Sequence, residues 1–426
     1  MAVIYDRKLI KAEGYGILDR ELNVKTRPSS IFPIASISKP LTATAVMLLV
    51  QDGVLDLDAP IGSYLSEIPE QWESVTLRQL LAHTAGLSEA VYGEGFGKLA
   101  TVDGFIAEAS SFPLDFQPGE SWMYSNTGYN LAAAIVEKVS GQSFESFLET
   151  RIFEPLDMNN TDVLRESYQY TNRAMGYWER GISDGLERID INFNMIHRVM
   201  PMFRGAGSVT SNVVDLAKWA ISIEKGELLS PELQAEMQQQ VQVNSGLFSQ
   251  YGLGWFLREL NGREVIAHGG NLWGYSTAIA RFPDDQLTVI LLTNKHNESG
   301  TDLARKIAEQ YVPALATDWD ADAIADPAPD FTAALTSFLE GSMDAVSFTP
   351  ETQIALTTVR GQLIQNQLQR QLEALEAESL ALISQEDHPN GTQKRYRAVA
   401  NGRTNILTVV LTPDGLINTM GISEED

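Results

Sequence analysis

The chain contains no cysteine among its 426 residues. Disulfides, thiolate catalysis and cysteine-based metal sites are therefore excluded. Long apolar runs are missing too: no stretch reaches about 18 apolar residues, so the sequence predicts no transmembrane helix. Basic residues are scarce, with 31 Lys and Arg against 56 Asp and Glu and a formal net charge of −25. An acidic surface repels phosphates and anionic lipids, so neither nucleic acid nor membrane is an expected partner.

The N-terminus leaves the localisation open. Residues Ala2–Tyr5 already have a strand pattern, and no signal segment precedes them. The sequence therefore predicts a cytoplasmic protein by default, and an exported one if the N-terminus is truncated.

Strand patterns lie at both ends of residues 1–315. An N-terminal hairpin is predicted over residues 2–15 around the turn Asp6-Arg7-Lys8. The late strand patterns are Tyr251–Arg258, Glu264–His268, Tyr275–Phe282 and Leu287–Asn294. The two ends are therefore expected to share one sheet, with a helical lobe inserted over about residues 55–215 and a cleft between the two parts.

The helical patterns lie mainly between these two groups of strands. The first should follow Ser36, with Pro40 in its opening turn and Gly53 past its end. The others are 77–92, 103–110, 128–139 with Gly141 as its C-terminal cap, two helices capped by Ser211 and Ser230, and 301–311.

The last hundred residues predict a separate unit. Residues 317–330 are acidic, contain two prolines and predict a linker. Helices are predicted over about 331–341 and 351–377, followed by three or four short strands. We therefore expect a catalytic domain over residues 1–316 and a small α+β accessory domain over 331–426. A chain that ends near Ala316 should then keep its fold and its reactivity.

Ser36 and Lys39 are the first candidates for chemistry. A spacing of three places both side chains on one helix face, so that the amine can reach the hydroxyl. A serine hydroxyl becomes a good nucleophile when a base removes its proton, and a lysine can be that base. A Ser-x-x-Lys pattern alone is weak, because it occurs by chance in a chain of this length.

Two further patterns carry polar groups suited to catalysis. Tyr124 and Asn126 lie two residues apart, so a phenol and an amide can face the same way. In His268-Gly269-Gly270, the glycines allow a substrate backbone to approach the strand edge, and the histidine can donate a hydrogen bond or assist proton transfer. Each pattern, taken alone, also fits an ordinary structural role.

In this order, the three patterns resemble the serine β-lactamase and penicillin-binding-protein superfamily. The resemblance is greatest to the class C β-lactamase-like branch, with its DD-peptidases, D-aminopeptidases and carboxylesterases. It covers about residues 10–310. Further matching motifs are Leu80–Leu87, Pro118-Gly119-Glu120, Ile152–Met158, Gly205–Ser208, Tyr251–Trp255 and Gly274-Tyr275-Ser276. The resemblance implies a β-lactamase-like fold of class α/β + α, an antiparallel sheet flanked by helices.

The resemblance also implies roles for particular residues. Ser36 would be acylated, and Lys39 and Tyr124 would share the base and acid work. Asn126 would hold the substrate carbonyl, the backbone N–H groups of Ser36 and Asn271 would form the oxyanion hole, and Gly270 would border the bound substrate. His268 would stand where the family more often has lysine, and it too would be catalytic. His83 belongs to a family motif as a structural turn residue.

These roles imply a serine hydrolase acting on small-molecule esters, amides or D-amino-acid peptides. A neutral histidine binds a carboxylate weakly, so we expect weak or no β-lactamase activity. The implied chemistry needs no cofactor, and His197, His296 and His388 have no spacing that suggests a metal site. A homo-oligomer is an open possibility for the assembly.

Two other classes of protein are rival interpretations of this sequence. An α/β-hydrolase requires Gly-x-Ser-x-Gly between a strand and a helix, and this pentapeptide is absent from the sequence. A catalytically inactive scaffold or binding protein remains the alternative, although Ser36, Lys39 and Tyr124 are all present.

Overall fold

The structure is a computed structural model that describes residues 1–66, 68–89, 101–164, 172–179, 186–188, 203–296, 299–319, 321–340, 342 and 345–424. Its α-helices are α1 Ser38–Gln51, α2 Leu77–Leu81, α3 Val102–Ala109, α4 Asn126–Ser140, α5 Phe144–Leu148, α6 Arg204–Gly207, α7 Val213–Lys225, α8 Pro231–Met237, α9 Gly300–Glu309, α10 Pro329–Leu339, α11 Pro350–Thr357 and α12 Val359–Glu373. Its strands are β1 Ala2–Tyr5, β2 Lys8–Ala12, β3 Ile17–Asp19, β4 Val24–Lys25, β5 Phe32–Pro33, β6 Asp162–Val163, β7 Tyr177–Glu179, β8 Leu186–Arg188, β9 Val209–Ser211, β10 Phe256–Leu260, β11 Arg263–Leu272, β12 Tyr275–Phe282, β13 Leu287–Thr293, β14 Leu375–His388, β15 Gly391–Ala400, β16 Arg403–Leu411 and β17 Ile417–Glu424.

The two ends of residues 1–315 share one antiparallel sheet, as predicted. Its strand order is β10-β11-β12-β13-β1-β2, with Ala2 opposite Ile290 where the chain ends meet. The hairpin of β1 and β2 turns through Asp6 and Arg7, whose φ angles of 48° and 59° are typical of a two-residue primed turn. The N-terminal strand therefore fills a place inside the sheet.

The two faces of this sheet belong to two apolar clusters. Alternate residues of a strand point to opposite faces, so Val3 and Val289 pack in one cluster and Ile4 and Ile290 in the other. Helix α9 covers the first face through Ala304 and Ala308, and α7 contacts β1 and β13. Helices thus flank the sheet, which confirms the β-lactamase-like architecture expected from the sequence.

Most predicted helices are found, and the differences have local causes. Pro40 lies in the first turn of α1, and Gly141 caps α4 at a φ of 67°. Asn212, not Ser211, caps α7, because its Oδ1 accepts from two backbone N–H groups while Ser211 remains in β9. Ser230 caps α8 as predicted. Helix α2 ends at Leu81, so the helix predicted over 77–92 is wrong for residues 82–89, where His83 has a φ of 63°, and residues 90–92 lie outside the described part of the chain.

The chain divides into two compact units. The first comprises residues 1–114, 125–241 and 250–316, and the second comprises 115–124, 242–249 and 317–426. The second unit contains the four-stranded antiparallel sheet β14-β15-β16-β17 and the helices α10 to α12. It therefore takes in two short segments from the middle of the sequence, which the sequence does not reveal.

Residues 317–330, predicted as a linker, make hydrogen bonds within the second unit. The backbone N–H of Ile324 donates to the carbonyl of Leu382 over 2.9 Å, and Arg397 donates to the carbonyl of Ala321 over 2.8 Å. Helix α10 begins at Pro329, inside the predicted linker. The segment is held because its backbone groups find partners on β14 and β15.

The long helix predicted over 351–377 is two helices. Thr358 has extended backbone angles, φ −69° and ψ 159°, and its hydroxyl accepts from the N–H of Gly361 to start α12. Leu363 on α12 is 66% exposed, whereas Leu372 at the end of α12 and Leu375 at the start of β14 are buried. The apolar core of this unit therefore includes the C-terminal end of α12 and not Leu363.

Candidate active site

Ser36 lies on a short 3-10 turn, Ala35–Ile37, that leads directly into α1. Ala35 has a φ of 49°, a left-handed conformation that is uncommon for a residue with a Cβ. The hydroxyl of Ser38 fastens the turn, because it donates to the carbonyl of Ala35 over 2.7 Å and accepts from the N–H of Val209 over 3.0 Å. Ser36 is partly exposed while both its neighbours are buried, so its hydroxyl can be reached from outside.

Lys39 is fully buried beside this hydroxyl. Its Nζ lies 3.3 Å from Ser36 Oγ, 2.8 Å from Asn126 Oδ1 and 2.9 Å from the carbonyl oxygen of Ala206. The amine also lies 5.6 Å from the ring centroid of Tyr129. The structure therefore brings Ser36, Lys39 and Asn126 together, as the sequence predicts.

A carboxylate that the sequence reasoning did not identify holds Asn126. Glu89 accepts from the backbone N–H of Asn126 over 2.7 Å and from its side-chain Nδ2 over 3.0 Å. It also accepts from the N–H of Thr127 and the hydroxyl of Ser125, each over 2.9 Å. This arrangement turns Asn126 Oδ1 toward Lys39. The Nδ2 group carries a second N–H that can donate a further hydrogen bond. A negative charge at the start of α4 is also favoured by the helix dipole.

The Gly205–Ser208 motif supplies the backbone carbonyl that Lys39 contacts. A Cβ on Gly205 would lie 2.2 Å from the carbonyl oxygen of Tyr129, so only glycine permits this approach to α4. Asn130 Oδ1 accepts from the N–H groups of Gly205 and Ala206 over 3.2 and 3.3 Å. The carbonyl of Ala206 is thereby fixed 2.9 Å from the amine.

Gly270 brings β11 against the turn that carries Ser36. A Cβ at this position would lie 2.3 Å from the carbonyl oxygen of Ile34 and 2.3 Å from Thr277 Oγ1. The hydroxyl of Thr277 donates to the same Ile34 carbonyl over 2.9 Å and joins strand and turn. The glycine is therefore required by the protein's own backbone, and its predicted role at the substrate stays a prediction.

The imidazole of His268 is buried and is engaged on both nitrogens. A carbonyl can only accept, so Nδ1 donates to the carbonyl of Gly269 over 2.7 Å, and Nε2 accepts from the hydroxyl of Tyr251 over 2.9 Å. Burial, with the nearby ammonium of Lys39, lowers the pKa of His268 from 6.5 to about 3, against a smaller opposing effect of its bond to Gly269. The ring is therefore neutral near pH 7, and its direct part in proton transfer stays a prediction.

The remaining predicted residues are Asn271 and Tyr124. Asn271 is exposed on β11 directly after Gly270, opposite Ser276 of β12. Tyr124 is 9% exposed and belongs to the second compact unit. The oxyanion role of the Asn271 N–H and the partnership of Tyr124 with Ser36 stay predictions.

His83 has the structural position that the sequence assigns to it. It has a φ of 63°, is 1% exposed, and its Nδ1 accepts from the N–H of Ser125 over 3.0 Å. Its ring packs against those of Tyr129 and Tyr251. The residue thus supports the start of α4 from the side opposite to solvent.

Two negative findings concern the described part of the chain. Among those residues, no group of three or more His, Cys, Asp or Glu side chains could hold a metal ion. Within the same ranges, every helix is too short or too polar to cross a membrane.

The chain belongs to the Beta-lactamase family, whose family model matches residues 1–312. Penicillin-binding protein 4* of Bacillus subtilis strain 168 is 31% identical over 320 residues, which cover 70% of this chain and 68% of that protein. This family comprises hydrolases of the serine β-lactamase type.

Solved structures agree on the fold. An octameric penicillin-binding protein homologue from Pyrococcus abyssi aligns with a TM-score of 0.64 and 22% identity, over 100% of this chain and 93% of that one. The D-amino acid amidase of Ochrobactrum anthropi SV3 aligns with a TM-score of 0.62 and 22% identity, over 74% and 92% of the two chains. A D-stereospecific amidohydrolase from Streptomyces is 25% identical with a TM-score of 0.58, over 73% and 93%.

Proposed function

We propose that the protein is a serine hydrolase that forms an acyl-enzyme on Ser36. The observation that carries this proposal is the buried amine of Lys39, 3.3 Å from Ser36 Oγ and held on two other sides by Asn126 and Ala206. A base that is fixed and shielded from water beside a reachable hydroxyl is the arrangement that serine acylation needs.

In the acylation step, Ser36 Oγ attacks the substrate's carbonyl carbon and its proton passes to the base formed by Lys39 and Tyr124. The carbonyl oxygen becomes an oxyanion that the N–H groups of Ser36 and Asn271 stabilise. The bond to the leaving alcohol or amine then breaks, and the leaving group takes a proton from the same pair. Asn126 contributes its second Nδ2 hydrogen to the substrate's carbonyl.

In the deacylation step, water attacks the ester carbonyl on Ser36 and gives its proton to the same base. The Ser36–acyl bond breaks, the carboxylic acid leaves, and Ser36 Oγ recovers a proton. Each proton taken is thus returned within one cycle, and no cofactor enters the reaction.

We propose esters, amides or D-amino-acid peptides as substrates, with weak or no β-lactam hydrolysis. The neutral ring of His268 adds no positive charge to bind a carboxylate, which favours acyl groups that lack one. The similarity to the Streptomyces D-stereospecific amidohydrolase supports the amide class.

The test is a turnover panel of p-nitrophenyl acetate and butyrate, D-alanine amide, D-phenylalanine amide and nitrocefin. The ester or amide kcat/KM should exceed that for nitrocefin, and Ser36→Ala should lose on the order of a thousandfold. Ser63→Ala is the matched control, since Ser63 is an exposed serine in another short 3-10 turn, Ile61–Ser63. Faster hydrolysis of nitrocefin than of every ester and amide would contradict the substrate class.

The inactive scaffold is the alternative function. It predicts that no member of the panel is turned over and that no acyl adduct forms on Ser36. Turnover that disappears in Ser36→Ala would exclude it.

We also propose that the protein assembles with copies of itself. The Pyrococcus abyssi homologue is octameric, and helix α12 exposes Val359, Leu363 and Ile364 by 51%, 66% and 45%. Light scattering on an eluting column peak should give more than one chain's mass, and Leu363→Glu should lower it.

A further inference from the structure

The second unit places a cation over the ring of Tyr124. The Cζ atom of Arg360 lies 4.5 Å from the centroid of the phenol ring, which is 9% exposed. A guanidinium within about 6 Å of an aromatic face is attracted by the ring's quadrupole, more strongly when water is excluded. Both residues belong to the same compact unit, although they lie 236 positions apart in the sequence.

Arg360 is fixed by the tight corner between α11 and α12. The hydroxyl of Thr358 accepts from the N–H of Gly361 over 2.9 Å and also donates to the carbonyl of Ala355 over 2.8 Å. A Cβ on Gly361 would lie 2.0 Å from that carbonyl oxygen, so the corner requires glycine. Arg360 therefore lies between Thr358 and Gly361, whose backbone positions are held by these contacts.

The segment that carries Tyr124 is hydrogen-bonded to the start of α11, the helix that precedes this corner. The hydroxyl of Ser121 donates to the backbone carbonyl of Glu351, in the first turn of α11, over 2.7 Å. The N–H of Asn244 donates to the carbonyl of Gly119 over 2.7 Å. Residues 115–124 are thus tied on one side to α11 and on the other to the segment 242–249.

The segment 242–249 is hydrogen-bonded to the turn between β14 and β15. Asn390 is 4% exposed, and its side chain exchanges two hydrogen bonds with the backbone of Phe248, of 2.7 and 2.8 Å. The same amide donates to Asn418 Oδ1 over 2.7 Å, and the carbonyl of Asn418 accepts from the hydroxyl of Thr352 on α11 over 2.8 Å. The sheet β14-β15-β16-β17, helix α11 and the segments 115–124 and 242–249 are therefore joined to one another by hydrogen bonds.

We propose that Arg360 is a positioning residue for Tyr124, through which the C-terminal module sets the direction of the phenol hydroxyl. The inference rests on the proposed function, in which Tyr124 shares the base and acid work on Ser36. A guanidinium that faces the ring restricts the orientation of its plane, and with it the direction of the hydroxyl. The accessory module then acts on the reaction without contacting substrate.

The experiment compares Arg360→Met with Arg370→Met in the full-length chain. Arg370 is an exposed arginine on the same helix, and methionine keeps much of the apolar stem at either position. We expect Arg360→Met to lower kcat for p-nitrophenyl acetate and the fluorophosphonate labelling rate of Ser36 about tenfold, with KM within about twofold of wild type. Arg370→Met should change none of these, and Arg360→Lys should keep at least about a third of wild-type kcat because it restores the cation.

A double variant separates positioning from folding. If Arg360 acts through the phenol hydroxyl, Arg360→Met should cost nothing further in a Tyr124→Phe background. The same tenfold loss in that background, or equal rates for Arg360→Met and Arg370→Met, overturns the inference. If Arg360→Met unfolds, Arg360→Gln, which also removes the cation, takes its place in both backgrounds with the same expected losses.

Failure of the proposed function gives a different result. Labelling that persists in Ser36→Ala, or full activity in Tyr124→Phe, would contradict the catalytic roles proposed for these residues, and the inference about Arg360 would fail with them. An inactive Tyr124→Phe with an unaffected Arg360→Met removes the inference alone.

Discussion

Glu89 accepts hydrogen bonds from both the backbone N–H and the side-chain amide of Asn126, over 2.7 and 3.0 Å. The same amide's oxygen accepts from the amine of Lys39 over 2.8 Å. A single carboxylate therefore fixes the orientation of the residue that links the candidate base to the start of α4.

We expect Glu89→Ala to impair both stability and activity. The substitution leaves the N–H groups of Asn126 and Thr127 without their carboxylate acceptor, which costs about 1–3 kcal/mol of unfolding free energy. Turnover should fall at least about tenfold, because Asn126 loses its fixed orientation. Glu89→Gln should lie between wild type and Glu89→Ala, since its amide group can replace only one of the two oxygens as an acceptor.

Urea unfolding and ester turnover measure these two effects. Glu232→Ala is the control, because Glu232 is an acidic residue in the first turn of α8. Equal behaviour of Glu89→Ala and Glu232→Ala would show that Glu89 does not support the site.

Gly270 and Gly269 offer a matched pair of glycine substitutions. Gly270→Ala would place a Cβ 2.3 Å from the Ile34 carbonyl, next to the Ser36 turn, whereas a Cβ at position 269 would meet no atom nearer than Thr301 Cγ2 at 3.3 Å. We expect Gly270→Ala to lose about 1–3 kcal/mol of stability and most of the Ser36 labelling rate. Gly269→Ala should stay within about 1 kcal/mol of wild type. If both variants label at the wild-type rate, β11 does not position the turn.

His268 should make the stability of the protein depend on pH in the acid range. Its pKa is about 3 in the folded state, against about 6.5 when unfolded, so between these values the unfolded chain binds a proton that the native chain does not. Stability therefore falls as pH drops below about 6.5, by up to about 1.4 kcal/mol for each pH unit from this group alone.

In His268→Gln that contribution disappears. Urea unfolding at pH 7, 5.5 and 4.5 should give a flatter decline for this variant than for wild type, because all other groups titrate in both proteins. Parallel declines would mean that His268 is not held neutral in the folded state.

Removal of residues 317–426 should slow the reaction of Ser36. The truncated chain keeps the sheet core but loses Glu351 and Arg360, the partners of Ser121 and Tyr124. This reverses the expectation from the sequence, which treats residues 1–316 as self-sufficient. Fluorophosphonate labelling of the truncated and full-length chains should differ at least about tenfold, and equal rates would show that the module is dispensable.

Local patterns predicted much of the fold. The Asp6-Arg7 turn, Pro40 in α1, Gly141 after α4 and Ser230 before α8 each act within a few residues, so the sequence displays them directly. The sharing of one sheet by the two chain ends followed from strand patterns that had no other partner. Ser36, Lys39 and Asn126 were predicted because the family motifs preserve their order.

Local sequence patterns do not predict the long-range contacts of the site. Glu89 and Asn126 are brought together by tertiary folding, and no periodicity marks a glutamate that caps a helix 37 residues later. The attachment of residues 115–124 and 242–249 to the C-terminal module depends on contacts such as Phe248 with Asn390, 142 positions apart. Such pairings are decided by packing, which composition and local spacing do not encode.

The most direct test of the account is intact-mass spectrometry of the protein after reaction with a fluorophosphonate. Wild type should gain the mass of one adduct, peptide mapping should place it on Ser36, and Lys39→Ala should gain it at least about a hundredfold more slowly. Ser36→Ala should gain none, while the control Ser63→Ala should be labelled like wild type. An adduct of equal yield on Ser36→Ala, or a wild type that stays unmodified, would contradict the assignment of Ser36 as the nucleophile.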